Sequence, residues 1–215
     1  MKFRVTIFLI VAATALLITG CTQATVQQAE NASNTEQEDA IGAETGNLTI
    51  SFDYAPPGGN ATKQFAVWLE DLDGNFVKTL FATRFIANGG YQARPQAIPD
   101  WVERSGLKDA GSSDFDAATG ATPAPGPVAF VLNMKGPEGE VIPPGDYRFF
   151  VEGSLRWANR VVYSGVINLG GTEPVTVQGE PEFIFTDSDE QPALTAESEE
   201  SGMIGPVTAV YTPAG

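Results

Sequence analysis

The sequence contains no histidine and a single cysteine, Cys21, among its 215 residues. Without histidine there is no Ser-His or Cys-His pair, and no paired-carboxylate motif stands out, so only unusual Ser-Lys or carboxylate chemistry could support a hydrolase. One cysteine allows neither an internal disulfide nor a thiolate metal site. Basic residues are also scarce, with 12 Lys and Arg against 27 Asp and Glu. A chain this acidic is not expected to bind nucleic acid.

The N-terminus has the pattern of an export signal. Lys2 and Arg4 precede an apolar run that ends in small residues directly before Cys21. The run is short for a stable membrane span, and residues 18–21 (ITGC) resemble a bacterial lipobox. This resemblance implies a lipoprotein signal peptide at residues 1–20 and a diacylglycerol-linked Cys21 as the mature N-terminus. The alternatives are a plain membrane anchor or an unmodified cysteine.

Residues 21–45 are predicted to be a flexible tether, because they contain almost nothing large and apolar that could order them. Loss of the signal leaves 10 basic residues against 27 acidic ones, a net charge of −17. Much of the excess acid lies in the tether and in residues 186–204, which are predicted to be a solvated acidic loop. The position after Cys21 is Thr22, where Asp would favour the inner membrane. By resemblance, an outer-membrane or surface location is expected in a Gram-negative source.

Residues 46–215 are predicted to form one all-β domain, an immunoglobulin-like antiparallel β-sandwich. Short runs of β-branched and aromatic residues recur between turn signals, and no helical pattern of similar length competes with them. In the second run, Phe65, Val67 and Leu69 fall on one face and the residues between them on the other. The predicted strands are NLTISFDY, QFAVWLED, NFVKTLFA, PVAFVLNM, DYRFFVEG, NRVVYSGVINL, PVTVQ, EFIFTD and PVTAVYT.

A long connection over residues 84–127 interrupts the strands and is predicted to contain a short helix starting near Pro99 and Asp100. Upstream of it, DLDGN at residues 71–75 carries oxygen ligands at alternate positions, as calcium loops do. It lacks the later bidentate carboxylate, and its glycine stands at the wrong position for an EF-hand. A hairpin turn with Gly74 at positive φ is therefore the prediction, and no metal site is expected.

Four stretches in order resemble the predicted periplasmic family called domain of unknown function 2271. They are FAVWLEDLDGNFVKTLF, IPDWV, DAATGATPAPGP and GEVIPPGDYRFFVE, and the resemblance covers most of residues 46–170. GEVIPPGDY is also similar to the immunoglobulin-like domain of flagellar hook-capping proteins, although this chain lacks their Trp-Asp-Gly group. These resemblances imply the fold and leave the function open.

Residues 116–122, DAATGAT, resemble the acceptor D-x-x-[ST]-[GS]-A-[ST] of proteins that carry FMN covalently on a threonine. The matching positions are Asp116, Thr119, Gly120, Ala121 and Thr122. The resemblance implies that an exported flavin transferase joins FMN from FAD to the Thr122 hydroxyl, with Asp116 as a recognition or orienting carboxylate. Small residues and the prolines that follow suit a segment entering another enzyme's active site. The alternative is a flexible surface loop of small residues.

The expected function is therefore that of a lipid-anchored extracytoplasmic flavoprotein. It would relay electrons through FMN between a membrane redox partner and an acceptor, as a carrier more than an enzyme. Trp101, Trp157, Tyr91 and Phe115 are candidates to pack on the isoalloxazine, with a core or turn position as the alternative for each. The competing hypothesis is a non-redox surface lipoprotein whose sandwich binds a protein or glycan partner.

Overall fold

The computed structural model describes residues 46–58, 63–109, 118–135, 140–156, 158–186 and 194–215. The predicted signal peptide, lipidated cysteine and tether lie outside these ranges, as do Phe115, Asp116 and Trp157. The strands are β1 (Asn47–Tyr54), β2 (Phe65–Asp71), β3 (Phe76–Thr83), β4 (Thr119–Gly120), β5 (Gly126–Asn133), β6 (Gly145–Ser154), β7 (Arg160–Leu169), β8 (Val175–Gln178), β9 (Glu180–Ile184) and β10 (Thr208–Thr212).

The strands form two sheets, which confirms the predicted all-β sandwich. A four-stranded sheet has the order β5-β1-β10-β8, and a six-stranded sheet has the order β4-β3-β2-β6-β7-β9. Neighbouring strands run antiparallel except β3 and β4, which pair in parallel. Each of the nine predicted runs corresponds to one strand. The two-residue β4 was not predicted as a strand.

The main core lies between the two sheets and is built from alternating positions of their strands. On β1, every second residue from Leu48 to Tyr54 is buried, and on β2 the inward residues are Phe65, Val67 and Leu69. The predicted facing of β2 is therefore correct. Burial of these apolar side chains supplies the main favourable term in folding.

A second core covers the outer face of the six-stranded sheet, where the long connection folds back over β2, β3 and β6. This insertion contains a π-helical turn (Ile86–Gly90), α1 (Tyr91–Ala93) and α2 (Pro99–Arg104). The buried members of this outer core are Ala66, Trp68, Ala82, Ile86, Ala87, Ala97, Ile98, Trp101, Val102 and Leu107. Strand β2 is consequently buried on both faces. None of the helices in the described ranges is long and apolar enough to cross a membrane.

Residues 194–204, the described part of the predicted acidic loop, are only partly solvated, which corrects the prediction for that part. Leu194 is buried, and a 3-10 turn (Glu199–Met203) places Met203 in the inter-sheet core. Glu200 forms an ion pair with Arg156, with Oε1 and Nη1 2.9 Å apart. The acidic composition of the segment hid these buried apolar residues from sequence reasoning.

Candidate functional site

The segment that carries the predicted acceptor runs from the edge of one sheet to the edge of the other. It begins as β4, where Thr119 lies opposite Ala82 and Gly120 opposite Thr83 in the parallel pairing with β3. It ends where β5 begins at Gly126, on the edge of the four-stranded sheet. Both ends of the acceptor segment are thus fixed by backbone hydrogen bonding to the sandwich.

The exposure of the motif residues to solvent increases along this segment. Thr119 and Gly120 are half-buried, whereas Ala121 and Thr122 are exposed. The hydroxyl predicted to be modified therefore lies at the surface, where another protein can reach it. The first motif residue, Asp116, falls outside the described residues, so its predicted orienting role stays a prediction.

Gly120 has a packing role that the motif alone does not reveal. A Cβ at this position would lie 2.7 Å from Cε2 of Phe81, closer than real carbon atoms approach. The Phe81 ring stacks on Phe65 and Phe130, with centroids 5.0 Å and 4.6 Å away. The glycine therefore lets the backbone rest on an aromatic stack that belongs to the main core.

Prolines shape the chain between the acceptor and β5. Pro123 is half-buried, Pro125 and Pro127 are exposed, and Gly126 adopts a φ of 130° that favours glycine. Proline fixes φ and removes a backbone donor, so Pro123 and Pro125 keep the chain between the acceptor and β5 extended, while Pro127 lies in the edge strand β5 itself. Thr122 is thereby presented on a short, stiff exposed segment.

Two of the four aromatic candidates for flavin packing, Trp101 and Tyr91, lie within the described residues. Trp101 is completely buried in the outer core, and its Nε1–H donates to Thr79 Oγ1 at 3.0 Å, so its ring cannot stack on a surface cofactor. Tyr91 is half-buried and packs against the same core. Phe115 and Trp157 lie outside the described residues. The core position given as the alternative for Trp101 is thus the one observed, and Trp101 is not available to pack on a flavin.

A carboxylate that sequence reasoning missed, Glu152 of β6, is buried beneath the start of α2. It accepts hydrogen bonds from the backbone N–H of Trp101 at 2.9 Å and of Asp100 at 3.3 Å. Nε of Arg160 lies 3.5 Å from its Oε1. Burial and, to a smaller extent, the nearby Asp100 carboxylate raise the pKa of Glu152 to about 8, against the N–H donors and Arg160, which lower it.

The bonds to Glu152 explain how α2 begins without a local capping side chain. Ile98 precedes Pro99 in a left-handed conformation (φ 44°, ψ 54°), and its N–H donates to Ser154 Oγ at 2.8 Å. Two side chains of β6 thus satisfy backbone donors at the start of the helix, which would otherwise be left unpaired. The only sequence signal for this role is that Glu152 shares a strand face with Phe150.

A second buried carboxylate, Glu70, lies on the same face of the sheet. It accepts the Trp68 Nε1–H at 2.9 Å and lies 3.3 Å from Nη1 of Arg104, while Trp68 stacks on Phe150 with centroids 4.9 Å apart. A groove of about 370 Å³ opens beside these groups. Because Glu70 and Arg104 are already paired with each other, this cluster serves to fix the insertion on the sheet.

The DLDGN stretch forms the predicted hairpin turn. Asp71 accepts the backbone N–H of Asn75 and its side-chain amide, each at 2.8 Å, and Gly74 has a φ of 84°. These hydrogen bonds hold the pKa of Asp71 below its ordinary value. The carboxylate is occupied by the turn, and the described ranges contain no group of three or more acidic, histidine or cysteine side chains that could hold a metal ion.

Comparison with known proteins identifies the family of the chain. The family model described as "Predicted periplasmic protein (DUF2271)" matches residues 47–184. This range runs from β1 to β9 and includes the insertion and the acceptor segment. No curated protein and no solved structure matches the chain significantly. The match supports an extracytoplasmic location, and the chain belongs to the DUF2271 family of predicted periplasmic proteins.

Proposed function

We propose that this protein is a lipid-anchored extracytoplasmic electron carrier that holds FMN covalently on Thr122. The observation that carries the proposal is the setting of this threonine. It is exposed, it stands at the last position of a seven-residue acceptor pattern, and its segment is fixed at both ends to the edges of the sandwich. Membership of a predicted periplasmic family supports an extracytoplasmic location, which is where exported flavin transferases act.

The attachment is a phosphoryl transfer in which this chain is the substrate. Thr122 Oγ attacks the FMN-side phosphorus of FAD, the bond from that phosphorus to the AMP phosphate oxygen breaks, and AMP leaves. The hydroxyl proton passes to a base of the transferase, and a phosphoester joins FMN to the protein. Oxidation states do not change. The flavin then supplies the redox chemistry, and the residues of this chain bind and orient it.

The residues around the acceptor have distinct proposed roles in this transfer. Thr119, Gly120 and Ala121 form the recognised backbone, because small side chains allow the segment to lie close to the transferase. Asp116 orients the segment as a carboxylate recognised by that enzyme. Pro123 and the prolines after it keep the acceptor extended, so that little conformational entropy is lost when it enters the active site.

Anchoring through Cys21 places the carrier next to its redox partner. A diacylglycerol-modified Cys21 followed by the tether would let the sandwich reach a membrane electron donor while it remains attached. A covalent cofactor suits this setting, since a dissociated flavin would be lost from the compartment. Cys21→Ser should abolish processing or release the protein from the detergent phase. A Cys21→Ser protein that still fractionates with membranes at the mature size would contradict lipid anchoring.

The attachment is tested by intact mass and peptide mapping after co-expression with an exported flavin transferase. The wild-type chain should gain the mass of one FMN less one water, with fluorescence that persists in a denaturing gel. Thr122→Ala removes the nucleophile and should abolish the adduct, whereas Thr122→Ser keeps a hydroxyl and should retain part of it. An adduct that survives in Thr122→Ala, or maps outside residues 116–122, would overturn the assignment.

One observation favours the competing function of a non-redox binding module. β5 is an edge strand without a charged residue, and its Val131 is 65% exposed. Uncharged edge strands can pair with a strand of another protein. This function predicts a colourless protein with no mass adduct after co-expression. Val131→Lys should leave FMN attachment unchanged if the flavin proposal is correct.

A further inference from the structure

We propose that Arg84, Phe85 and Arg94, which we call the basic-aromatic patch, form the surface on which the Thr122-linked FMN rests. The inference builds on the proposed function and names the residues that would bind the cofactor after its attachment. Arg84 and Phe85 directly follow β3 at the start of the insertion, and Arg94 directly follows α1. Sequence analysis did not single out any of the three residues.

The parallel pairing of β3 and β4 brings the patch close to the acceptor. Thr83 lies opposite Gly120, Phe85 is two residues beyond Thr83, and Thr122 is two residues beyond Gly120. With about 5 Å between paired strands and 3.8 Å per residue, the Cα atoms of Phe85 and Thr122 are at most about 20 Å apart. An FMN tethered through its phosphate by the ribityl chain therefore samples this surface at high effective concentration.

Phe85 offers an aromatic surface whose orientation is fixed. Phe85 is 46% exposed, and the guanidinium carbon of Arg94 lies 5.3 Å from the centroid of the Phe85 ring. A Cβ at Gly90 would lie 2.7 Å from the ring's Cδ1, so the glycine allows the ring to lie against the backbone. Both the phenyl ring and the planar guanidinium can stack on an isoalloxazine.

Charge complementarity points to the same occupant. Neither Arg84 nor Arg94 lies within 4 Å of an acidic group among the described residues, whereas four of the other basic residues form ion pairs. Arg84 and Arg94 therefore carry positive charge that no described acidic group neutralises, on a sequence with 12 basic and 27 acidic residues. The phosphoester of an attached FMN carries negative charge, and arginine is well suited to bind phosphate oxygens.

The test compares variants of the flavinylated full-length protein by fluorescence anisotropy and iodide quenching of the attached flavin. Phe85→Ala should lower the anisotropy and raise the quenching constant toward the values of the flavinylated peptide excised by protease. Arg94→Gln should give a smaller change in the same direction and lower the midpoint potential, since a nearby cation stabilises the negative charge gained on reduction. Leu72→Ala and Arg148→Gln alter an exposed apolar and an exposed basic residue elsewhere and should change neither property.

The outcomes separate this inference from the proposed function on which it rests. If peptide mapping finds no FMN on Thr122 of the wild-type protein, both are overturned. If Thr122 carries FMN but Phe85→Ala and Arg94→Gln match wild-type anisotropy, quenching and potential, the patch does not hold the flavin and only this inference fails. Circular dichroism of each variant verifies that the sandwich is intact.

Discussion

The two described parts of the connection between β3 and β5 differ sharply in how their residues are used. Residues 84–109 fold onto the outer face of the six-stranded sheet and bury a tryptophan, several aliphatic side chains and a hydrogen-bonded carboxylate. Residues 118–125 contain small residues and prolines, and they present Ala121 and Thr122 to solvent. Packing accounts for the buried residues of the first part, whereas it leaves Ala121 and Thr122 of the second part unexplained.

This difference indicates which part of the connection carries residues that are available for binding or modification. In the first part, the identities of Trp101, Pro99 and Ile98 follow from the outer core and from the start of α2. In the second part, packing explains Gly120 through its contact with Phe81, but it explains neither Ala121 nor Thr122. Exposed residues without a packing role are where binding and modification are expected. Variants in the first part should therefore lower stability without preventing flavin attachment, and Thr122→Ala in the second part should prevent flavin attachment without lowering stability.

Trp101→Ala should have the largest effect on stability. It removes a fully buried indole and leaves Thr79 without its Nε1–H donor, and such aromatic truncations cost about 3–5 kcal/mol. Urea unfolding monitored by circular dichroism measures the loss, and Trp101→Phe should cost less. Trp101 stabilises the outer core and is not part of the acceptor segment. The variant should therefore still accept FMN under conditions where it is folded. Loss of the adduct from the folded variant would contradict this separation.

Glu152 should make the protein less stable as the pH rises. Its pKa is raised from the ordinary 4.5 to about 8 in the folded protein, mainly by burial, so the folded state binds a proton that the unfolded state has lost. The stability contributed by this group is fully present below pH 4.5 and declines up to about pH 8. The maximum slope for one proton is about 1.4 kcal/mol per pH unit.

The absence of histidine makes this pH dependence simple to measure. No side chain with an ordinary pKa titrates between pH 6 and 8 in a chain without histidine. Urea unfolding of the protein at pH 6, 7 and 8 should show the decline, and Glu152→Gln should flatten it. A wild-type protein equally stable at the three pH values would show that Glu152 is ionised throughout and held by Arg160 and the α2 donors.

The sequence predicted features that depend on local patterns. Alternation identified the inward face of β2, the turn residues identified the Asp71 to Asn75 hairpin, and Pro99 marked the start of α2. Features that depend on distant contacts could not be predicted. Glu152 is a core residue only because the insertion covers it, and β4 is a strand only because β3 lies beside it.

The acceptor region shows the same limit. The motif predicted which residue could be modified, because its pattern is local. It could not predict that Gly120 contacts Phe81, since this contact depends on the parallel pairing of β3 with β4. Aromatic residues chosen from the sequence alone therefore included Trp101, which the fold buries completely.

Gly120→Ala should destabilise the protein by a moderate amount. The new methyl group would meet Phe81 at 2.7 Å and press on a ring that stacks with two others, and overpacking of this kind costs about 1–3 kcal/mol. Thermal unfolding measures the loss. The double variant Gly120→Ala with Phe81→Leu should recover part of it, because the smaller side chain leaves room for the methyl group. No recovery would mean that the contact with Phe81 is not the cause.

Thr122→Ala should have the smallest effect on stability, in contrast to its complete effect on flavin attachment. The side chain is exposed, and surface substitutions away from caps, turns and buried networks typically change stability by less than about 0.5 kcal/mol. Urea unfolding of the unmodified wild-type and variant proteins, both made without the transferase, measures this difference without any contribution from the cofactor. A loss comparable to that of Gly120→Ala would show that the Thr122 hydroxyl has a structural role, and a packing explanation would then extend to both parts of the connection. A near-zero change together with a missing adduct would leave the chemistry of one exposed oxygen as the reason for a threonine at this position.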